Sequence, residues 1–86
     1  MKIDVTLKYY EIFFVHYGVR KRVVYEAHTM ESSIAWRIAA VESGVAPSVL
    51  PSGNVLSQMV TAVRAEGISE VRWNHAFDYA RRRYTD

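Results

Sequence analysis

No cysteine occurs anywhere in this 86-residue chain. That absence excludes disulfide staples, thiolate metal sites and thiol nucleophiles together, and it suits a reducing compartment. No run approaches the ~18 apolar residues that a bilayer-spanning helix needs. The opening Met1-Lys2-Ile3-Asp4 is broken by charge and lacks the continuous apolar core of a secretion signal, so a cytoplasmic, non-membrane protein is expected. Internal repeats and low-complexity segments are missing too. So are the short motifs of common chemistries. There is no G-x-S-x-G elbow, no phosphate-cradling GxxxxGK[ST] loop, no HExxH, no zinc-finger spacing and no RRM-type or KH-type signature. His16, His28 and His75 never pair at helical spacing, which leaves no metal motif. Glu66, Glu70 and Asp78 have no spacing that suggests acid–base work. No enzyme, cofactor, metal or small-molecule substrate is expected.

What is present is apolar surface. Half the chain is hydrophobic and 13 % is aromatic, a composition that folds. Area scaling for a 9.9 kDa chain buries roughly 64 % of the unfolded surface, enough for one small core. A single domain over residues 1–86 is expected. The net charge is +2, from 11 Lys+Arg and 9 Asp+Glu, and without Arg81, Arg82 and Arg83 the balance becomes 8 − 9 = −1. The basic character therefore lies largely in a C-terminal tail, residues 75–86.

Residues 3–15 read as a strand. Ile3, Val5, Leu7, Tyr9, Phe13 and Val15 share one face at period two, with Glu11 the exception. The opposite face starts polar and turns apolar at Tyr10, Ile12 and Phe14. Gly18 supplies a turn, and residues 19–27 form a second strand with Arg20, Lys21 and Arg22 near the hairpin tip. Residues 29–43 predict a helix with Thr29 as N-cap, a stripe of Ile34, Ile38, Val41 and Val45, flanking Ala35 and Ala39, and Gly44 as the C-terminal stop. Residues 44–54 hold both prolines and predict a mobile loop. A second helix capped by Asn54 or Ser52 carries Leu56, Met59, Val60 and Val63 and ends at Gly67. Residues 68–73 form a third strand, and Asn74 caps a last helix with Phe77, Ala80 and Tyr84 on its apolar side. The expected fold class is α+β: an antiparallel sheet of hairpin plus third strand, helices on one face, in the order β-β-α-α-β-α.

The run Met30-Glu31-Ser32-Ser33-Ile34-Ala35-Trp36-Arg37-Ile38-Ala39-Ala40-Val41-Glu42-Ser43-Gly44-Val45, with Gly67-Ile68-Ser69-Glu70-Val71-Arg72-Trp73, resembles a family of short uncharacterised pseudomonad proteins. Their pattern is a hairpin, a Met-x-x-Ala-x-Ala-Trp-like helix, an Ala-Gly-Val-like stop and a Gly-Ile-x-x-Val-x-Trp strand. The likeness spans residues 9–73. Arg37-Ile38 stand where the family carries a second aromatic pair, and the segment after Trp73 is an addition. The resemblance implies a bacterial cytoplasmic protein carried by phage or mobile elements, and it assigns no functional residue.

The hairpin holds more aromatics than one face needs. Tyr10, Ile12 and Phe14 are therefore expected to form an exposed apolar patch for a protein partner or a second copy. Arg20, Lys21 and Arg22 with Arg81, Arg82 and Arg83 are the candidate steering charges. The leading expectation is a small non-catalytic protein-binding module, in size and style like phage-encoded inhibitors, CRISPR inhibitors among them. The alternative is a nucleic-acid binder that grips phosphate with the two basic clusters.

Overall fold

The computed structural model describes residues 7–76. Its elements are β1 (Lys8–His16), β2 (Val19–Ala27), α1 (Ser32–Glu42), a 3-10 turn (Pro47–Val49), α2 (Leu56–Arg64) and β3 (Ile68–His75). They form an α+β fold whose sheet is antiparallel with strand order β2-β1-β3. The expected order β-β-α-α-β is present. The expected last helix, with Arg81, Arg82 and Arg83, lies outside the described residues. Two residues assigned to that tail or its cap are strand instead. Asn74 pairs with Glu11 and His75 with Tyr10, and the Ala76 N–H then donates to the Tyr9 carbonyl at 2.8 Å.

The hairpin turns on two residues. Tyr17 (φ 49°) and Gly18 (φ 80°) both take left-handed backbone, the mirror-image turn that matches strand twist. Gly18 does this without strain, whereas Tyr17 is held there by its surroundings. Its N–H donates to the Gly67 carbonyl at 2.8 Å. Its ring lies so close over Gly67 that a Cβ there would stand 2.3 Å from the ring.

β1 is the central strand and the core forms on one side of it. Ile12, Met59, Val63 and Ile68 are fully buried, joined by Phe14, Trp36, Ile38, Leu50 and the alanines 35, 39 and 40. Each large side chain so buried contributes about 1.5–3 kcal/mol. The expected stripe of α1 holds at Ile34, Ile38 and Val45, with Ala35 and Ala39 beside it, and fails at Val41. Val41 is 42 % exposed, while Ala35, Ala39 and Ala40 are fully buried. Alanine has no bulk beyond Cβ, so this face lets the helix backbone approach its neighbours closely, and Trp36 and Ile38 fill the margins. Leu56, expected in the stripe of α2, is likewise outside, at 45 % exposure.

The helix starts also differ from expectation. Glu31 and Val55 occupy the N-cap positions, neither with a side-chain capping bond, in place of Thr29 and of Asn54 or Ser52. The end of α1 is as expected. Gly44 (φ 93°) donates to Val41 O at 3.0 Å and Val45 to Ala40 O at 3.0 Å, the paired bonds of a Schellman stop. The proline-rich segment is held rather than loose. Leu50 is buried, and Arg37 Nη2 donates to the carbonyls of Pro51 (2.6 Å) and Gly53 (3.1 Å).

β3 carries a bulge. Phe13 faces Arg72 and Val15 faces Ser69, so three steps on β3 match two on β1. The extra residue is accommodated at Glu70, whose φ is +53°.

Candidate functional site on the open face of the sheet

Alternation along β1 sends Tyr10, Ile12 and Phe14 to the helix side, where they are 3 %, 0 % and 3 % exposed. This corrects the expectation that they form an exposed patch. Helices α1 and α2 cover that side of β1 and β3 and take its apolar residues as core. Tyr10 packs edge-on against Trp73 (centroids 5.7 Å apart) and beside His75 (5.0 Å). Tyr10, Ile12 and Phe14 thus serve stability and are closed to a partner.

The other side of the sheet has no helix among the described elements. Residues directly opposite one another in a ladder share a face, so the register defines what this side presents. β1 contributes Tyr9, Glu11, Phe13 and Val15. β2 places Glu26, Val24, Arg22 and Arg20 opposite them in that order, and β3 places Asn74 beside Glu11, Arg72 beside Phe13 and Ser69 beside Val15. Phe13 is half-buried and stands between two arginines, one on each neighbouring strand.

Those two arginines differ in their commitments. Arg22 donates from Nε at 2.8 Å, and also from Nη2, to Glu11 Oε2. Such a half-exposed pair contributes about 0.2–1 kcal/mol and mainly fixes the side-chain direction. Arg72 has no hydrogen-bond or ion-pair partner among the described residues, and neither has Arg20. Phe13, Phe14, Val15, Arg20, Lys21, Glu70 and Arg72 line a shallow recess, and a second hollow opens between Phe13, Arg72, Trp73 and Asn74. An apolar ring, a free guanidinium and a neighbouring amide can receive a side chain that is apolar at one point and anionic beside it.

The basic triplet at the hairpin tip is split by the same alternation. Arg20 and Arg22 point to the open side, and Lys21, opposite Phe14, points to the other. The three cations are therefore not on one row of the sheet, although Arg20 and Lys21 both border the recess. Arg81, Arg82 and Arg83 lie outside the described residues, so their relation to the tip has no structural account. Glu11 and Glu26 also belong to the open face, and Glu70 lines its recess, so three carboxylates stand among its three arginines.

Phe13, Arg72 and Asn74 were not among the expected site residues. One signal in the sequence marks their face. Glu11 interrupts Tyr9, Phe13 and Val15, and an unpaired carboxylate does not enter a core. The face containing Glu11 is hence the wet one, and the uncharged Tyr10, Ile12 and Phe14 make the dry one. Of the histidines, His16 stacks on Tyr17 at 4.6 Å and His75 on Tyr10. No helix among the described residues is long and apolar enough to cross a membrane.

Comparison with protein-family models, with curated proteins and with solved structures gives no match in any of the three.

Proposed function

We propose that this chain is a small non-catalytic protein-binding module that uses the open face of its sheet. The partner is a protein segment presenting an apolar side chain next to a carboxylate. Phe13 receives the apolar group and Arg72 the carboxylate, with Tyr9 and Val15 extending the contact along β1. The observation that carries this reading is the position of Phe13, half-exposed and directly opposite both Arg22 and Arg72. Aromatic and arginine side chains in the middle of a patch are the usual energetic anchors of protein interfaces. Arg81, Arg82 and Arg83 add long-range steering toward an acidic partner. A module of this kind works by occlusion, in the style of a phage- or mobile-element-encoded inhibitor acting in a bacterial cytoplasm. The resemblance to the short pseudomonad proteins assigns no site, so the reading rests on the geometry of this chain.

A nucleic-acid role for Arg20, Lys21 and Arg22 is the weaker reading. Lys21 faces away from the other two, and three glutamates reduce the positive potential where a phosphate chain would lie. One experiment separates the two. Fluorescence anisotropy is measured with a panel of acidic–apolar peptides and with single-stranded DNA and RNA oligonucleotides, each at low and moderate salt. Selective peptide binding that weakens about tenfold or more in Phe13→Ala and Arg72→Ala supports the module. Oligonucleotide binding with a steep salt slope and no peptide binding overturns it.

A further inference from the structure

We propose that β2 pairs with β2 of a second copy of this chain, antiparallel and centred on Val23, so that two three-stranded sheets join into one of six strands. This inference stands apart from the open-face reading and uses a different part of the molecule, the outer edge of the hairpin.

The two edges of the sheet are not alike. β3 is broken by the bulge at Glu70. β2 runs nine residues in unbroken register with β1, without proline or bulge. Among the described elements only β1 packs extensively against it. A long regular edge offers alternate N–H and C=O groups to another strand. Edges that stay single are usually shortened, bulged, proline-marked or charged; of these features β2 has only the charges, and pairing with its own copy sets Arg20 against Glu26.

Its sequence, Val19-Arg20-Lys21-Arg22-Val23-Val24-Tyr25-Glu26-Ala27, is complementary to itself when reversed. With Val23 on the two-fold axis all nine positions find a partner, and residues of like parity oppose one another, as an antiparallel ladder requires. Arg20 then faces Glu26 of the second copy, and the symmetry makes this contact twice. The same Glu26 lies diagonal to Arg22. Lys21 faces Tyr25, Val19 faces Ala27, and Val23 meets its own counterpart. Centring on Arg22 instead would set two Arg22 guanidinium groups against each other. Centring on Val24 would leave Val19 and Arg20 unpaired and draw on Arg22, which Glu11 already engages.

Exposure agrees with this register. On the helix side of β2, Val19 is 56 % and Tyr25 40 % exposed, because α1 and α2 lie over β1 and β3. A second copy would cover Val19 with Ala27 and Tyr25 with the Lys21 stem. Arg20, without an ionic partner among the described residues, would gain one.

The test is sedimentation velocity on the full chain over a broad concentration series. The wild type is expected to show a monomer–dimer equilibrium. Arg20→Glu and Glu26→Arg should each weaken it about tenfold, because the symmetry makes the contact twice, and the double exchange Arg20→Glu/Glu26→Arg should restore it. A wild type that remains monomeric throughout overturns the proposal. So does a dimer indifferent to the single exchanges, or one that the double exchange fails to rescue. A second measurement does not depend on the charge variants. The chain has no cysteine, so Val23→Cys introduces a lone thiol facing its copy at a separation a disulfide can span. Mild oxidation should cross-link Val23→Cys and not Val41→Cys, and equal cross-linking of the two contradicts the register.

Discussion

The two faces of β1 are built from nearly the same side chains and do opposite things. Tyr10, Ile12 and Phe14 are closed under two helices, while Tyr9, Phe13 and Val15 stay half-open among arginines and glutamates. Hydrophobic content does not distinguish them. The difference lies in the company each keeps: one carboxylate at Glu11 and arginines on both flanking strands make the second face too costly to bury. An aromatic residue in a strand therefore gains its role from its cross-strand neighbours, which a single segment of sequence does not display.

The adjacent phenylalanines give the sharpest way to break this comparison. Phe14→Ala should lower the unfolding free energy by about 3–5 kcal/mol, the cost of an emptied core site. Phe13→Ala should cost about 1 kcal/mol or less, as for a partly exposed side chain away from the core. Urea denaturation of the two variants measures the gap, and equal losses would mean that the faces are not distinct. A smaller effect is expected where the hairpin tip meets the start of β3. Gly67→Ala should cost about 1–2 kcal/mol, since its φ of +83° strains any side chain and the new Cβ meets the Tyr17 ring. Adding Tyr17→Ala should recover the steric part and leave the backbone part, a split that thermal melts of the pair resolve. A double-mutant cycle on Arg22 and Glu11 should return about 0.2–1 kcal/mol, shrinking as salt is added. Smallest of all, Val41→Lys should change stability by no more than about 0.5 kcal/mol, because α1 turns this residue outward.

Much of the fold was legible because its signals are local. The bounds of β2, the glycine stop of α1 and the antiparallel sheet with its helices follow from alternation, helical spacing and Gly44. The start of α1 was not, because Thr29 has the chemistry of a cap and the backbone enters the helix two residues later, at Glu31. The face of α1 was legible in Ile34, Ile38, Ala35 and Ala39, while the helical spacing that also includes Val41 does not show that this residue turns outward. Ala35, Ala39 and Ala40 carry little hydrophobic weight in a periodic count, yet close approach of a helix favours small side chains. The end of β3 was hidden because Asn74 is an ordinary helix cap, and only its pairing with Glu11 places it in a strand. The open face was legible in Glu11, and the expected Arg20 and Arg22 stand on it too. Arg72 was not, because its place beside Phe13 depends on a bulge that no turn residue announces.

That bulge has a further consequence. Ile68 and Trp73 are separated by five positions, an odd interval, yet both turn toward the helices, opposite His16 and Ile12. In an uninterrupted strand they would point to opposite sides. The extra residue at Glu70 works as a phase shift in the chain, after which every position on β3 is offset by one. Making the ladder regular with Glu70 retained would exchange the two rows beyond it. Trp73 would move to the solvent side opposite Glu11, and Arg72 would be driven under the helices opposite Ile12, whereas deleting Glu70 would remove the bulge and leave both rows in place. The chemistry of the open face and the integrity of the core are thus set together by one left-handed residue.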